Sequence, residues 1–263
     1  MRILCIGDVV SKVGRNMLYE YIEDLKYQKN IDICIANGEN SSHGRGVTRS
    51  TYTDMCRAGV DGITLGNHTW GTKEVISILE NEENIIRPIN FHSSCPGVGS
   101  MILTAKSGYR LGVINALGRV YTDIPVDSPF DAIIKKVEEL KEKTDAIIVD
   151  FHAEATSEKK ALGFFLDGKV GAVFGTHTHI QTADEMILPK GTGYITDLGM
   201  TGPVHSVLGM DVDIIVKRFA LGMPQKFEIA EGAGQLNGCI FELDDKSGLC
   251  TCVERIFIKE QEG

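Results

Sequence analysis

Side chains that can bind metal ions follow five apolar runs of this sequence, at the point where each run ends. In open α/β sheets, ligands bind outside the carboxyl ends of the strands, so a shared sheet would bring these side chains to one edge. Imidazole and carboxylate groups bind iron, manganese and zinc, and an asparagine amide adds a neutral oxygen. Two ions about 3.5–4 Å apart can hold the attacking and leaving oxygens of a phosphoryl displacement. The side chains are those of Asp8, Glu39, Asn40, Asn67, His68, His152, His177 and His179.

Each of these residues also has an ordinary structural interpretation. Asp8 could cap the helix that follows the first strand, because aspartate is a frequent N-cap residue. Asn37 and Asn40 could bond the local backbone of a turn; we expect this for Asn37 and metal binding for Asn40. His152 alone would be a satisfied histidine near the core. Two histidines in the segment 177–179, at the end of one apolar run, are harder to explain without a ligand, so the combination favours a metal site.

Hydrophobic periodicity divides the chain into alternating strands and helices. Alternation of this kind predicts one α/β domain over residues 1–263 with a partly parallel sheet. Thr72 is expected to be the N-cap of the third helix. The predicted strands are residues 2–6, 31–36, 62–65, 101–105, 111–115, 146–150, 170–174, 193–196, 226–229, 237–243 and 249–258. The predicted helices are residues 16–27, 50–58, 72–79 and 130–143, with helical or mixed spacing in 212–220.

The overall charge restricts the classes of partner. The formal net charge is -9 with a pI of about 5.3, which argues against a protein that coats nucleic acid, because such proteins need a basic face. An odd number of cysteines, 7, and the lack of a secretory pattern favour a cytoplasmic protein with reduced thiols. No apolar run reaches the length of a membrane-spanning helix, so we expect no membrane association.

Six sequence blocks, in this order, resemble the YmdB family of calcineurin-like metallophosphoesterases. The resemblance implies an α/β fold in which mixed β-sheets are sandwiched between flanking helices, in four layers ordered αββα. Each block is short, and the order and strand-end placement of the whole set make it specific. The blocks are Gly7-Asp8, Asn37-Gly38-Glu39-Asn40, Gly66-Asn67-His68-Thr69-Trp70, Asp150-Phe151-His152-Ala153-Glu154-Ala155, Gly175-Thr176-His177-Thr178-His179 and Thr196-Asp197-Leu198-Gly199-Met200.

The resemblance also implies a role for each candidate ligand. Two divalent or trivalent ions would be bound, with iron or manganese expected and zinc or magnesium as alternatives. Glu39 would bridge both ions, and His68 would bind neither but would stabilise or protonate the leaving oxygen. The first ion would be held by Asp8, Glu39, Asn40 and His179. The second ion would be held by Glu39, Asn67, His152 and His177.

Two positions depart from the broader superfamily. Its first motif is Asp-x-His, whereas this chain has Asp8-Val9-Val10, so Asn40 would take the place of the missing histidine. The usual Asn-His-Asp block ends here in Thr69, which leaves His68 without an adjacent acid to orient it. Both departures agree with the YmdB branch.

Two loops next to the candidate ligands could contribute further groups. His43 and Arg45 lie in a glycine-flanked loop after Glu39 and could bind substrate phosphate; a solvated loop is an equal alternative. The residues after His152 could orient metal-bound histidines, because such histidines usually need an outer partner. For Lys159 a polar surface loop is the favoured interpretation. These residues are Glu154, Thr156, Ser157 and Lys159.

The expected function is a metal-dependent phosphoric diester hydrolase. A hydroxide that bridges the metals would attack the phosphorus in line, and the substrate would be a small phosphodiester such as a 2′,3′-cyclic nucleotide. The alternative is a regulatory protein that binds a nucleotide or RNA and has weak or incidental hydrolase activity. RNA as a partner and assembly into a homo-oligomer remain open.

Overall fold

The computed structural model describes residues 1–261, and its elements alternate between strands and helices over most of that length. The strands are β1 Arg2–Ile6, β2 Asp8–Val9, β3 Ile33–Asn37, β4 Gly62–Thr64, β5 Ile85–Ile86, β6 Ser100–Thr104, β7 Arg110–Leu117, β8 Ala146–His152, β9 Ala172–Thr176, β10 Met186–Ile187, β11 Gly193–Ile195, β12 Met200–Pro203, β13 Gly234–Leu243 and β14 Cys250–Lys259. The helices are α1 Ser11–Gln28, α2 Arg49–Arg57, α3 Glu74–Asn81, α4 Pro129–Leu140, α5 Thr156–Leu166 and α6 Val212–Leu221.

The strands form two mixed sheets. The first has the order β2-β12-β13-β1-β3-β4-β5, with β14 paired to β13, and its strands β1, β3, β4 and β5 run parallel. The second has the order β10-β11-β9-β8-β7-β6, and β7, β8, β9 and β11 run parallel. Because the parallel strands carry the candidate site, their carboxyl ends determine where it forms.

Three hydrophobic clusters fix the layers. One lies between the two sheets and joins Ile3 and Phe241 of the first sheet to Ile148 and Phe174 of the second. A second packs α1, α2 and α3 on the outer face of the first sheet, and a third packs α4 and α5 on the outer face of the second. Since each sheet is apolar on both faces, its parallel strands read as almost continuous apolar runs. No helix within residues 1–261 is both long and apolar enough to cross a membrane.

The mixed α/β class and the partly parallel pairing agree with the sequence analysis, and several local predictions were wrong. Residues 226–229 form no strand; Ile229 makes only an isolated bridge to Met210. The ring of Phe227 packs instead under the guanidinium of Arg218 on α6, at 4.6 Å. Thr72 is not an N-cap, because α3 begins two residues later and the Thr72 hydroxyl donates to the Val47 carbonyl.

The first helix also differs from its prediction. It begins at Ser11 rather than residue 16, and Val10, whose side chain makes no capping bond, is its N-cap. The interpretation of Asp8 as a helix cap is therefore wrong. Gly14 lies inside this helix because α1 packs closely on β12: a Cβ at this position would lie 2.3 Å from the Thr201 carbonyl oxygen.

Candidate metal centre

The candidate ligands meet where the two sheets meet, and not at the edge of one sheet as the sequence suggested. β1, β3 and β4 of the first sheet lead to Asp8, to Glu39 and Asn40, and to Asn67, whereas β8 and β9 of the second sheet lead to the histidines. Each sheet points the carboxyl ends of its parallel strands towards the site. The site therefore combines oxygen ligands from one sheet with imidazoles from the other.

Three of the candidate ligands converge on one atom of a fourth, His152 Nε2. Asn67 Oδ1 lies 2.7 Å from it, Glu39 Oε1 lies 3.0 Å from it, and His177 Nδ1 lies 3.0 Å from it. The ligand atoms of Glu39, His152 and His177 all lie within 4.8 Å of one another, a spacing at which they could hold a metal ion. Asn67, His152 and His177 are called the His152 group below.

A buried hydrogen-bond chain fixes the other face of the His152 ring. His152 Nδ1 lies 2.9 Å from the hydroxyl of Thr176, which donates to Asp150 at 2.7 Å. Asp150 also accepts a hydrogen bond from the Thr64 hydroxyl, and one from the amide of Asn37 at 3.2 Å. Because Nδ1 is engaged with Thr176, the ring presents Nε2 to the other ligands. An outer partner of this kind fixes the tautomer of a metal-binding histidine.

Asn37 contributes to this chain in addition to its predicted turn role. Its Oδ1 accepts the Glu39 backbone N–H at 3.1 Å, which is the local bond expected from the sequence. Its amide lies within the buried network below His152. Asn37 therefore links the strand end that carries Glu39 to the strand end that carries His152.

His177 is oriented from two sides. Its Nε2 lies 3.0 Å from a carboxylate oxygen of Glu154, the residue proposed from sequence as an outer partner of a histidine. Its backbone N–H donates to Asp8 Oδ2 at 3.0 Å. The backbone of His177 is also in the left-handed region, with φ of 100°, which is rare for a residue with a Cβ.

The remaining ligands, Asp8, Asn40 and His179, are called the Asp8 group, and they are held less completely by protein contacts. Asp8 Oδ1 and Asn40 Oδ1 are buried atoms that have no hydrogen-bond partner. Asn40 is oriented through its amide nitrogen, which donates to the Gly44 carbonyl at 3.0 Å. His179 Nδ1 lies 3.1 Å from the Leu208 carbonyl, so its Nε2 is the nitrogen that remains for a ligand.

The electric field of the site favours a positive charge near His152. Burial tends to raise the pKa of Glu39, but the charge and hydrogen bond of His152 outweigh burial and lower it to about 2. Burial likewise tends to lower the pKa of His152, but the charges of Glu39, Asp8 and Asp150 outweigh burial and raise this pKa to about 9. Burial and the charge of His152 lower the pKa of His177 to about 3. A metal cation would satisfy the same demand for positive charge.

His68 lies beside the ligands. Its backbone N–H donates to Glu39 Oε2 at 2.8 Å, and its Nε2 lies 3.4 Å from Asn67 Nδ2. Burial lowers the pKa of His68, the charge of Glu39 opposes this effect, and the charge of Arg45 adds to it. The Arg45 side chain lies against Gly71, where a Cβ would be 2.9 Å from Arg45 Cγ. Both Arg45 and His43 are exposed in the loop after Glu39.

The sequence analysis missed one buried ion pair next to the site. Lys159 is 1 % exposed, so its interpretation as part of a polar surface loop was wrong. Its Nζ lies 2.6 Å from Asp197 Oδ2, and Asp197 is fully buried. The sequence does contain a signal for such a pair. Asp150 and Asp197 are both acids at the ends of apolar runs, and acids that are buried there need partners.

The donor set can hold metal ions. Buried carboxylate and amide oxygens that lack partners cost free energy, and a cation would satisfy them. Imidazole nitrogens together with carboxylate oxygens suit transition metals. The residues present therefore fit the metal site that the resemblance implies.

Comparison with known proteins gives the family. A sequence profile described as YmdB-like protein matches residues 4–256. The 2′,3′-cyclic-nucleotide 2′-phosphodiesterase of Bacillus subtilis is 47% identical over 99% of this chain and 98% of its own length. A putative phosphatase/phosphodiesterase of Mycoplasma pneumoniae is 37% identical over 100% of this chain and 94% of its own length.

Two solved structures share the whole fold. A hypothetical protein from Thermus thermophilus has a TM-score of 0.92 and 41% identity, and the match covers 99% of this chain and 100% of that chain. A structure titled as a novel phosphatase of Mycoplasma pneumoniae has a TM-score of 0.92 and 37% identity, and the match covers 100% of this chain and 94% of that chain.

The relatives define the class as a hydrolase of phosphodiesters, and the site contains a cluster of side chains that could hold a metal ion. The chain belongs to the YmdB-like family. This membership confirms the resemblance described from the sequence blocks. The enzyme class expected from sequence, a phosphoric diester hydrolase, is confirmed by the same relatives.

Proposed function

We propose that this chain is a dinuclear-metal phosphodiesterase of calcineurin-like fold that hydrolyses small phosphodiesters, 2′,3′-cyclic nucleotides among them. The observation that carries the proposal is the convergence of Asn67, Glu39 and His177 on His152 Nε2 at 2.7–3.0 Å. The phosphodiesterase of Bacillus subtilis that is 47% identical supports the class of substrate. The layers of helix, sheet, sheet and helix support the fold assignment.

Seven residues would hold the ions. The His152 group and Glu39 would hold one, and the Asp8 group and Glu39 would hold the other, so the Glu39 carboxylate would be shared. When bound, such ions supply a nucleophilic water of lowered pKa and neutralise charge on the phosphate. Iron or manganese suits the mixture of imidazole and carboxylate, and zinc or magnesium is the alternative.

The remaining residues would act on the substrate. The His68 backbone N–H donates to Glu39 Oε2, which keeps this residue beside the candidate ligands, and its ring would lie against the phosphate. Because its pKa is lowered, the neutral ring is favoured, and it would stabilise the leaving oxygen by donating a hydrogen bond. Arg45, whose side chain lies against Gly71 in the segment that follows His68, would attract the phosphate from the exposed loop, and His43 in the same loop is a second candidate.

Several wider expectations stay predictions. Cytoplasmic location rests on the cysteine content and the sequence alone. RNA binding and assembly into homo-oligomers rest on no contact in the described residues. The single-domain assignment of residues 1–263 includes the last two residues, which lie outside the described residues.

The test compares purified protein before and after metal removal. Metal content is measured by elemental analysis, and turnover is measured with a bis-aryl phosphate, 2′,3′-cyclic AMP and, as a matched substrate, 3′,5′-cyclic AMP. We expect chelation to abolish hydrolysis and Mn²⁺ or Fe²⁺ to restore it, with 2′,3′-cyclic AMP cleaved in preference to its isomer. Asp8→Ala should remove activity. Protein that holds no transition metal and shows no metal-stimulated hydrolysis would contradict the proposal.

A further inference from the structure

The turn that carries His177 and His179 has an unusual backbone. Both residues lie in the left-handed region, with φ of 100° at His177 and 64° at His179. Residues with a Cβ rarely adopt this region, and they persist there only where the surrounding structure holds them. The two imidazoles therefore depend on contacts that keep this turn in place. Thr178, between them, makes those contacts.

Asp197 anchors Thr178 through both of its polar groups. The carboxylate oxygen Oδ2 accepts the Thr178 backbone N–H at 3.1 Å and the Thr178 hydroxyl at 2.7 Å. The other oxygen, Oδ1, accepts the Gly199 N–H at 2.8 Å. All of these partners are donors, so both side-chain atoms at the end of residue 197 must be acceptors. An asparagine would place its NH₂ group against a donor.

Lys159 completes the anchor from α5. Its ammonium is the charged partner of Asp197 at 2.6 Å, and the two side chains are 1 % and 0 % exposed. The stem of Lys159 crosses Gly175, where a Cβ would lie 2.9 Å from Lys159 Cδ. The cation neutralises a carboxylate that would otherwise be buried as an unpaired charge.

Stability alone does not account for this pair. A buried ion pair contributes little net stability, because the cost of desolvating both charges offsets their attraction. Asp197 accepts two hydrogen bonds from Thr178, which lies between two candidate ligands, one from each group. The position of the pair therefore points to control of ligand geometry.

We propose that Lys159 and Asp197 are positioning residues that hold His177 and His179, through Thr178, in the geometry that binds metal. This inference rests on the proposed function, because it requires those histidines to be ligands. The Asp150–Thr176 chain performs the same task for His152. Each histidine-bearing strand end thus has its own buried aspartate.

The test uses Mn²⁺ alone, with the free ion measured by electron paramagnetic resonance during titration of metal-free protein. The variants are Asp197→Asn and Thr178→Val, with Thr178→Ser as the conservative variant that keeps the hydroxyl. The control is Asp167→Asn, because Asp167 is also buried and accepts the backbone N–H groups of Lys190 and Thr192 at the far end of α5. The circular dichroism of each variant reports folding.

We expect Asp197→Asn and Thr178→Val to weaken Mn²⁺ binding about 10- to 100-fold, the usual effect of losing an outer partner of a ligand. Thr178→Ser and Asp167→Asn should bind as the wild type does. If Asp197→Asn fails to fold, Thr178→Val decides the question. Wild-type affinity in Thr178→Val, or an equal loss in Asp167→Asn, would overturn the inference. If the wild-type protein binds no Mn²⁺, both the proposed function and this inference are overturned.

Discussion

The two groups of candidate ligands are held in different ways. In the His152 group, the ligand atoms touch one another at 2.7–3.0 Å, and a chain through Thr176 and Asp150 fixes the central ring. In the Asp8 group, two buried oxygens have no hydrogen-bond partner among residues 1–261, and the His179 ring contacts the Leu208 carbonyl through Nδ1. Glu39 lies between the groups.

The difference shows which half of the site depends more on a cation. Contacts among protein atoms already define the His152 group. Each unpartnered oxygen of the Asp8 group carries a desolvation cost of about 1–3 kcal/mol that protein contacts leave unrecovered. We therefore expect metal binding to stabilise the Asp8 group more, and to be tighter in the His152 group, where less rearrangement is needed.

The largest effect is expected from Glu39→Gln, because this carboxylate is shared by both groups. Loss of its charge should release both ions and lower kcat/KM by about 1,000-fold or more, the equivalent of several kcal/mol of lost charge stabilisation. Elemental analysis and turnover of a bis-aryl phosphate check this. Glu242→Gln is the matched control, because Glu242 pairs with Arg2 at the start of β1, away from the site. Retention of full metal content would show that Glu39 is no bridge.

His68→Ala should lower kcat about 100- to 10,000-fold, the range for loss of a group that assists proton transfer or the leaving oxygen. Because His68 belongs to neither group, its loss should leave the metal content and the Mn²⁺ affinity of both groups unchanged. Steady-state kinetics and metal analysis of the same preparation check this. Loss of an ion in this variant would place His68 among the ligands.

The positions of the ligands could be predicted from the sequence, because each follows an apolar run that forms a buried strand. The ends of β3, β8 and β9 lie within two residues of their predicted places. What the sequence does not contain is the partition into two sheets, which depends on pairing between strands far apart in the chain. Glu39, Asn67, His152 and His177 lie close together as expected, but they follow strands of two sheets and not of the single shared sheet that was predicted.

Contacts between distant residues explain the other failures. Lys159 looks like a surface residue because its partner, Asp197, lies 38 positions away and only the fold brings them together. Residues 226–229 have strand-like composition, but within residues 1–261 their pairing is limited to the isolated bridge between Ile229 and Met210. The Thr72 hydroxyl likewise donates to the Val47 carbonyl, 25 residues earlier, and does not cap α3. Local patterns carry no information about such partners.

Asn40→Ala tests the Asp8 group directly. Removal of its unpartnered oxygen should lower the affinity for one ion about 10- to 100-fold and leave the other ion in place. This loss is equivalent to the free energy of a hydrogen bond to a charged group, about 1.5–3 kcal/mol. Asn67→Ala is the matched variant in the His152 group, and it should lower the affinity for the ion that this group holds. Mn²⁺ titration distinguishes the two sites. Equal loss of both ions in either variant would show that the groups are not separate.

The smallest effect is expected at the exposed loop. Arg45→Ala should raise KM about 2- to 5-fold and leave kcat and metal content unchanged, because an exposed charge contributes little to binding. Its effect should shrink at high salt. Arg57→Ala, at the exposed end of α2, is the control. An unchanged KM at low salt would show that Arg45 does not bind substrate and belongs to a solvated loop.

A crystal structure with manganese bound, phased by anomalous scattering at the manganese edge, tests the central claim most directly. We expect two anomalous peaks about 3.5–4 Å apart with the Glu39 carboxylate between them. One peak should contact Asp8, Asn40 and His179, and the other should contact Asn67, His152 and His177. A single peak, or a pair in which Asn40 makes no contact, would contradict it.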